Sequence, residues 1–344
     1  MKHFKFSFFV SIVCLALAAA WGYSHTGIAG AVTALSITAI LGIMEVSLSF
    51  DNAVVNASVL KHWDQFWQAL FLTLGIVIAV FGMRLAFPLV IVSQAANLGI
   101  SEVWNLALHD PKVFSMHLTN HHAEVAAFGG VFLLLVFLNF LFDHEKEIHW
   151  LGHVEEKLAS FGRIGSIPVL LALGVILASV GLLEEAEKLR VLTAGVWGIL
   201  VYVGVDFISG LLEREEETAP KVAEIVKRGS IGGFLYLEVL DASFSFDGVI
   251  GAFAITNDVV IIMLGLAIGA MFVRSMTVYL VRQGILEEFV FLEHGAHYAI
   301  GILAIIMFAS MEYHIPEVFT GLVGVAFILA SLWSSVRYKR KGHL

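Results

Sequence analysis

The sequence contains very little cysteine and little charge, and both shortages limit what kind of protein it encodes. Cys14 is the only cysteine in 344 residues, which excludes a disulfide framework and thiolate metal sites such as CxxC clusters. Charged residues make up only 14% of the chain, whereas soluble domains carry about 25%. The net charge of -9 also argues against a nucleic-acid partner.

Hydrophobic residues make up 59% of the chain and form apolar stretches of membrane-spanning length from end to end. This pattern predicts an all-α polytopic membrane bundle of about ten transmembrane helices in the lipid bilayer, with residues 1–344 as a single membrane domain. The predicted spans are 6–23, 28–58, 67–96, 125–142, 165–183, 191–212, 231–256, 259–281, 295–311 and 316–336. The opening residues also have the pattern of a signal peptide, but the spans that follow favour a retained first helix.

Basic residues are distributed unevenly between the predicted loops. With a cytoplasmic amino terminus, fifteen Lys and Arg residues fall in inner segments and three, Lys112, Lys188 and Arg190, in outer loops. This asymmetry follows the positive-inside rule. It predicts that both termini are cytoplasmic, with cytoplasmic loops at 143–163 and 213–230.

One motif occurs twice. The segment 45–52, Glu-Val-Ser-Leu-Ser-Phe-Asp-Asn, returns at 241–248 as Asp-Ala-Ser-Phe-Ser-Phe-Asp-Gly. In each following span a glycine precedes an arginine by nine residues, at Gly75 and Arg84 and again at Gly265 and Arg274. Because the copies fall in the second and seventh predicted spans, they are expected to cross the membrane in opposite directions. This predicts an inverted repeat with halves 28–183 and 191–336, the plan of many secondary transporters.

The repeated acids lie inside apolar spans, where each carboxylate costs at least about 2.5 kcal/mol and needs a compensating cation or proton. Carboxylate, amide and hydroxyl oxygens are the ligands of hard divalent cations. The predicted metal ligands are Glu45, Asp51, Asn52, Asp241 and Asp247. The predicted supporting residues are Ser47, Ser49, Asn56, Glu238, Ser243, Ser245, Arg84 and Arg274.

Helical geometry limits how this site can be built. Glu45, Ser49, Asn52 and Asn56 share one face of a continuous helix, whereas Asp51 lies roughly 120° away. Either the helix unwinds between Ser47 and Asp51 and frees carbonyls as ligands, or Asp51 faces another partner such as Arg84 or Asp247. The span 28–58 is also longer than the roughly 20 residues that cross a bilayer, so it is expected either to tilt strongly or to break near its polar centre. A purely structural network, in which the two arginines pair with Asp51 and Asp247, is the alternative to a metal site.

The loops carry further potential ligands. His117, His121, His122 and Glu124 cluster in a predicted outer loop, and histidines and glutamates recur in 143–163. They are candidate accessory metal sites. A solvated polar loop is the other interpretation of the same composition.

The motif copies resemble those of the TerC family of integral membrane proteins, which is named for tellurium resistance and includes manganese exporters. The segment Glu45–Asn52 is similar to the family's acid followed by Leu-Ser-x-Asp-Asn, and Asp241–Thr256 to its Asp-x-x-Phe-x-x-Asp-Ser with an Ala-Ile-Thr ending. The two arginines and His314-Ile315-Pro316 also match, over about 43–97 and 238–336. Gly248 stands where the family has Ser or Asn, and the insertions near 98–123 and 143–163 indicate a divergent branch.

The resemblance implies manganese efflux across a bacterial inner membrane. The prediction is therefore a transporter that moves a divalent metal substrate, Mn²⁺ first, by alternating access, with no enzymatic activity and no organic cofactor. A membrane partner in metal delivery or in tellurite and envelope stress resistance, without its own transport, is a second hypothesis. An intramembrane aspartyl enzyme is a third, although the chain lacks HExxH and GxSxG motifs. Homo-oligomers and metal-dependent partner proteins are both compatible with the sequence.

Overall fold

The computed structural model describes residues 4–75, 77–144, 146, 148–163, 165–212, 229–313 and 315–340. Within these ranges, the description excludes the side chains of residues 95, 163, 206, 208–212, 246, 247, 317 and 318. The predicted site residue Asp247 thus lies on a described helix, but its side chain is outside the described residues. His314 and most of the predicted loop 213–230 are outside them as well.

The described chain is helical throughout and contains no strand, which confirms the all-α prediction. The helices are α1 (Lys5–Leu48), α2 (Phe50–Leu60), α3 (Gln65–Leu70), α4 (Phe87–Ala96), α5 (Ile100–His109), α6 (Pro111–Asn120), α7 (His122–Leu141), α8 (His153–Ser160), α9 (Ile167–Val180), α10 (Glu185–Leu212), α11 (Ile231–Ile255), α12 (Val259–Arg282), α13 (Ile285–Glu288), α14 (Leu292–Ser310) and α15 (Glu317–Arg340). Two π-helical segments, Phe71–Gly75 and Ile78–Ala86, lie between α3 and α4, and a 3₁₀ turn, Phe161–Arg163, follows α8.

Among the described residues, seven helices are long and apolar enough to cross a membrane. This finding confirms a polytopic helical membrane protein. Each of the ten predicted spans overlaps a helical segment. Some of those segments are not among the seven. One of them, α9, is a shorter apolar helix of 14 residues.

The helix α1 covers two predicted spans, because it reverses direction in the middle. Thr26 and Gly27 have non-helical backbone angles, and Gly27 has a φ of 68°, which glycine adopts without a steric penalty. A Cβ atom on Gly22 would lie 2.3 Å from the carbonyl oxygen of Gly30, so the two arms pack closely on both sides of the turn. The sequence 5–48 therefore forms a helical hairpin.

Both arms of this hairpin pack along α12. On the first arm Ser7 donates a hydrogen bond to the Met271 carbonyl, and Trp21 donates one to the Asp258 carboxylate near the start of α12. On the second arm, Leu41 packs against Gly265. The second arm runs parallel to α12 and the first arm antiparallel to it.

Ion pairs join loops that the charge pattern assigned to the same membrane face. Lys61 pairs with Glu293 at 3.0 Å, between two predicted inner segments. Arg190 approaches Glu124 at 3.4 Å, between two predicted outer loops. The loops therefore group into two faces as expected, and which face is cytoplasmic remains a prediction.

Candidate functional site

The first motif copy lies at a break in the helix. The helix α1 ends at Leu48, Ser49 has backbone angles of φ -102° and ψ 19°, and α2 begins at Phe50. This position agrees with the predicted interruption between Ser47 and Asp51. The chain is bent there without being fully unwound, since the Ser49 N–H still donates to the Glu45 carbonyl and the Ser49 carbonyl accepts from Ala53.

Glu45 is the most enclosed carboxylate of the motif, with 2% of its surface exposed. It forms an ion pair with Arg84, and Ser49 Oγ donates a 3.2 Å hydrogen bond to the same carboxylate oxygen. Two glycines make room for it. A Cβ atom on Gly248 would lie 2.6 Å from Glu45 Oε2, and one on Gly269 would lie 2.2 Å from Glu45 Cγ.

Arg84 reaches Glu45 from a π-helical segment. Its second terminal nitrogen donates a 2.8 Å hydrogen bond to the carbonyl of Ala79, five residues earlier in that segment. π-Helical turns are rare and frequently occur at functional sites. Arg84 is thus held by its own helix while it neutralises a buried acid.

The predicted arginine network differs from what the described residues contain. Arg84 pairs with Glu45 rather than with Asp51, and Arg274 Nε donates to the Leu72 carbonyl at 2.6 Å. Because this partner is a neutral carbonyl, the Nε atom of Arg274 is not paired with a carboxylate. The predicted pairing of Arg84 with Asp51 is therefore replaced by a pairing with Glu45, and the predicted pairing of Asp247 lies outside the described residues.

Asp51 is buried on the other side of the break at Ser49, and it borders the same cavity as Glu45. It is 7% exposed, and its Oδ1 accepts the Asn52 backbone N–H at 2.9 Å. Its Oδ2 lies against Gly324 of α15, where a Cβ atom would be 3.1 Å away. A cavity of about 40 Å³, large enough for a water molecule or a bare cation, is bordered by Glu45, Ser49 and Asp51.

Asp241, from the second motif copy, meets the first copy through Asn52. The Asn52 side-chain amide donates a 2.5 Å hydrogen bond to Asp241 Oδ1. A second cavity of about 30 Å³ is lined by Asn52, Asn56, Arg84, Asp241, Arg274 and Thr277. The amide oxygens of Asn52 and Asn56 are buried and have no hydrogen-bond partner in the described structure. Unsatisfied buried oxygens beside a carboxylate are acceptors that a cation could use.

The two motif copies are antiparallel. Glu45 lies against Gly248, whereas Asn52, further along the first copy, bonds Asp241, which is earlier in the second. The following spans repeat this relation. Gly265 of α12 packs against Leu41, four residues before the first motif, and Gly75 packs against Glu238, three residues before the second.

The predicted ligands do not meet at one point. Among the described residues no three His, Cys, Asp or Glu side chains come together as a metal cluster. The cavity beside Asp51 and the cavity beside Asp241 are separate. Ser47 is exposed and its hydroxyl donates back to the Ile43 carbonyl, so its supporting role stays a prediction. Ser243 likewise donates to the Val239 carbonyl, and Ser245 is buried without a partner in the described chain.

The loop histidines also do not form a three-ligand site in the described structure. His121 contacts Glu124 at 2.9 Å, and that carboxylate also faces Arg190. His117 and His122 are partly buried near the same turn. The arrangement is an ion-pair network at the start of α7.

Sequence reasoning missed a buried polar cluster where the loop 143–163 docks on α14. Glu155 is fully buried and forms an ion pair with Lys146 at 2.5 Å, and His294 donates to the Ile148 carbonyl. Burial acts to raise the pKa of Glu155, but hydrogen bonds from Lys146 and the Leu151 N–H outweigh it, so the pKa lies below its usual range. The charged composition of the loop indicated solvent exposure, and nothing in it distinguished the buried glutamate from exposed Glu156.

The fold and this interior define a class: a multi-pass helical membrane protein in which carboxylates are enclosed between two antiparallel copies of one motif. The chain belongs to the DUF475 family, described as proteins of unknown function, which matches residues 50–342. The first hairpin and Glu45 precede the matched region. No curated protein and no solved structure matches this chain.

Proposed function

We propose that this protein transports a divalent metal cation across the membrane, with the carboxylates of the two motif copies as its binding groups. The observation that carries the proposal is the meeting of Asp241 with Asn52 beside the unpartnered oxygens of Asn52 and Asn56. A carboxylate and two amide oxygens inside a membrane bundle are suited to a hard cation. The resemblance to TerC proteins selects Mn²⁺ as the first substrate to test and efflux as the direction.

The charged partners of each acid support the roles that the proposal gives to Glu45, Asp51 and Asp241. Glu45 is already neutralised by Arg84, so the proposal gives it a structural part, which is to anchor the arginine that lines the cavity beside Asp241. Asp51 has no cationic side chain among its described hydrogen-bond and ion-pair partners, and it borders a cavity that can hold a small ion. In this scheme Asp51 and Asp241 bind the ion at two successive positions, one in each cavity.

The test is Mn²⁺ flux into proteoliposomes that contain a manganese-sensitive dye. We expect Asp51→Asn and Asp241→Asn each to reduce the initial rate by about tenfold or more, since an amide supplies no negative charge. Asp64→Asn is the matched control. Asp64 is exposed and accepts the Trp67 N–H at the start of α3, a capping role that asparagine also fills.

Wild-type flux no greater than that of empty liposomes would contradict the proposal, as would full activity in both variants. The first result, combined with proteins that co-purify, would favour the membrane partner in metal delivery. A competition series with Mg²⁺, Ca²⁺ and Zn²⁺ identifies the preferred ion. Cell manganese measured in a metal-sensitive strain that expresses each variant tests the direction.

A further inference from the structure

Glu238 is a buried acid that the proposed cation pathway does not use. It lies in α11, one helical turn before Asp241, and 8% of its surface is exposed. Both carboxyl oxygens are buried, and neither has a hydrogen-bond partner in the described part of the chain. An acid in this state is unusual, because buried polar groups in native proteins are nearly always satisfied.

No lysine, arginine or histidine of the described chain forms a hydrogen bond or a recorded ion pair with Glu238. One oxygen lies against Gly75 of the π-helical segment, where a Cβ atom would be 2.5 Å away. Of the arginines on neighbouring segments, Arg84 pairs with Glu45 and Arg274 donates to the Leu72 carbonyl, and neither is a recorded partner of Glu238.

Among the side chains that the structure describes, the other packing elements add no charged group near this position. The side chain of Asp206 on α10 is outside the described residues. The helix α7 has no ionisable residue between 125 and 141, and α10 contributes Tyr202, which packs on Tyr236. On α11, Asp241 follows Glu238 by three residues. A negative charge on Asp241 opposes the ionisation of Glu238. The helix α2 contributes the neutral amides of Asn52 and Asn56.

An ionised carboxylate without a hydrogen bond or a counter-charge costs several kcal/mol or more in such a place. A neutral carboxylic acid costs much less. We infer that Glu238 is protonated in this conformation and is the proton-binding group whose proton the transporter exchanges for its cation. A proton binds one Glu238 oxygen as the cation leaves Asp241, and it dissociates to solvent before the next cation binds. This inference rests on the proposed function and adds the coupling ion to it.

The test separates cation movement from proton coupling. Glu238→Gln is close in shape to the protonated acid but binds no proton. In proteoliposomes at equal pH on both sides, Mn²⁺/Mn²⁺ exchange by this variant is expected to stay within about twofold of wild type. Accumulation driven by a pH gradient is expected to fall by about tenfold or more, because the amide does not titrate in this range. Glu102→Gln, at an exposed helix start, is the control and should retain both activities.

Gradient-driven accumulation by Glu238→Gln at the wild-type level would overturn the inference. Absence of all flux in wild type would instead count against the proposed function. Infrared spectroscopy then tests protonation independently, since a protonated carboxylic acid has its own carbonyl band. We expect that band in wild-type protein at neutral pH and its loss in Glu238→Gln. If the variant does not fold, loss of the band as wild-type protein is titrated to alkaline pH replaces the comparison, and a missing wild-type band overturns the inference.

Discussion

At the scale of single residues, the interior is organised by which acid receives the arginine. Arg84 and Glu45 are 6% and 2% exposed, so each leaves an uncompensated buried charge if the other is removed. Asp51 and Asp241 have no such cationic partner among the described ion pairs. The ion pair thus distinguishes an acid paired with an arginine, Glu45, from the two acids to which the proposed function assigns the cation.

Arg84→Met is therefore expected to be strongly destabilising, by about 3–5 kcal/mol, because Glu45 loses its counter-charge inside the bundle. The double variant with Glu45→Gln should recover most of that loss. Thermal unfolding of purified protein in detergent, followed by tryptophan fluorescence, measures both. Lys339→Met is the comparison, since Lys339 and Glu288 form an exposed pair at 3.6 Å that is worth about 1 kcal/mol or less. Equal losses in the two single variants would contradict the role given to Arg84.

At the scale of elements, the second motif copy packs closely on the first because it has a glycine, Gly248, at the point of contact. The sequence indicated this only as a departure from the TerC pattern, because Gly248 stands where that family has Ser or Asn. The structure gives the reason, since the Glu45 carboxylate occupies the space that a side chain at 248 would need. The motif copies are alike in sequence but serve different packing roles.

Gly248→Ala is expected to weaken the fold and displace Glu45, because its new Cβ would lie 2.6 Å from a carboxylate oxygen. In an open helix the same change would stabilise by about 1 kcal/mol. Gly174→Ala provides that case, since nothing lies within 4 Å of a Cβ atom at this position in α9. The two melting temperatures should therefore move in opposite directions. A rise in both would show that Glu45 does not need the space.

The elements differ in how far the sequence could predict them. Hydropathy located the helices, and the length of the span 28–58 together with its polar centre indicated the break at Ser49. Nothing in the apolar sequence 71–86 distinguishes π-helical from α-helical turns, because hydropathy carries no information about contacts between helices. The pairing of Arg84 with Glu45 was missed for the same reason, since helical periodicity describes one helix and not its neighbour.

At the scale of the whole molecule, the contacts group the loops into two faces, and charge asymmetry predicts which face is cytoplasmic. Single cysteines test this in a Cys14→Ser background. Lys112→Cys in α6 should react with a membrane-impermeant maleimide added to intact cells, whereas Lys157→Cys in α8 should react only in inverted vesicles. Both positions are exposed, so access depends on the side of the membrane alone. The reverse labelling pattern would invert the predicted orientation.

The spans that follow the two motif copies pack in a related way, and the predicted halves differ at one position beside that contact. Where the second half has Glu238 three residues before its motif, the first half has Gly42. Two identical halves in opposite orientation would present the same route to an ion arriving from either side. A carboxyl in only one of them makes the interior chemically asymmetric, so the proposed transporter would present its binding groups in a different order to an ion arriving from each side.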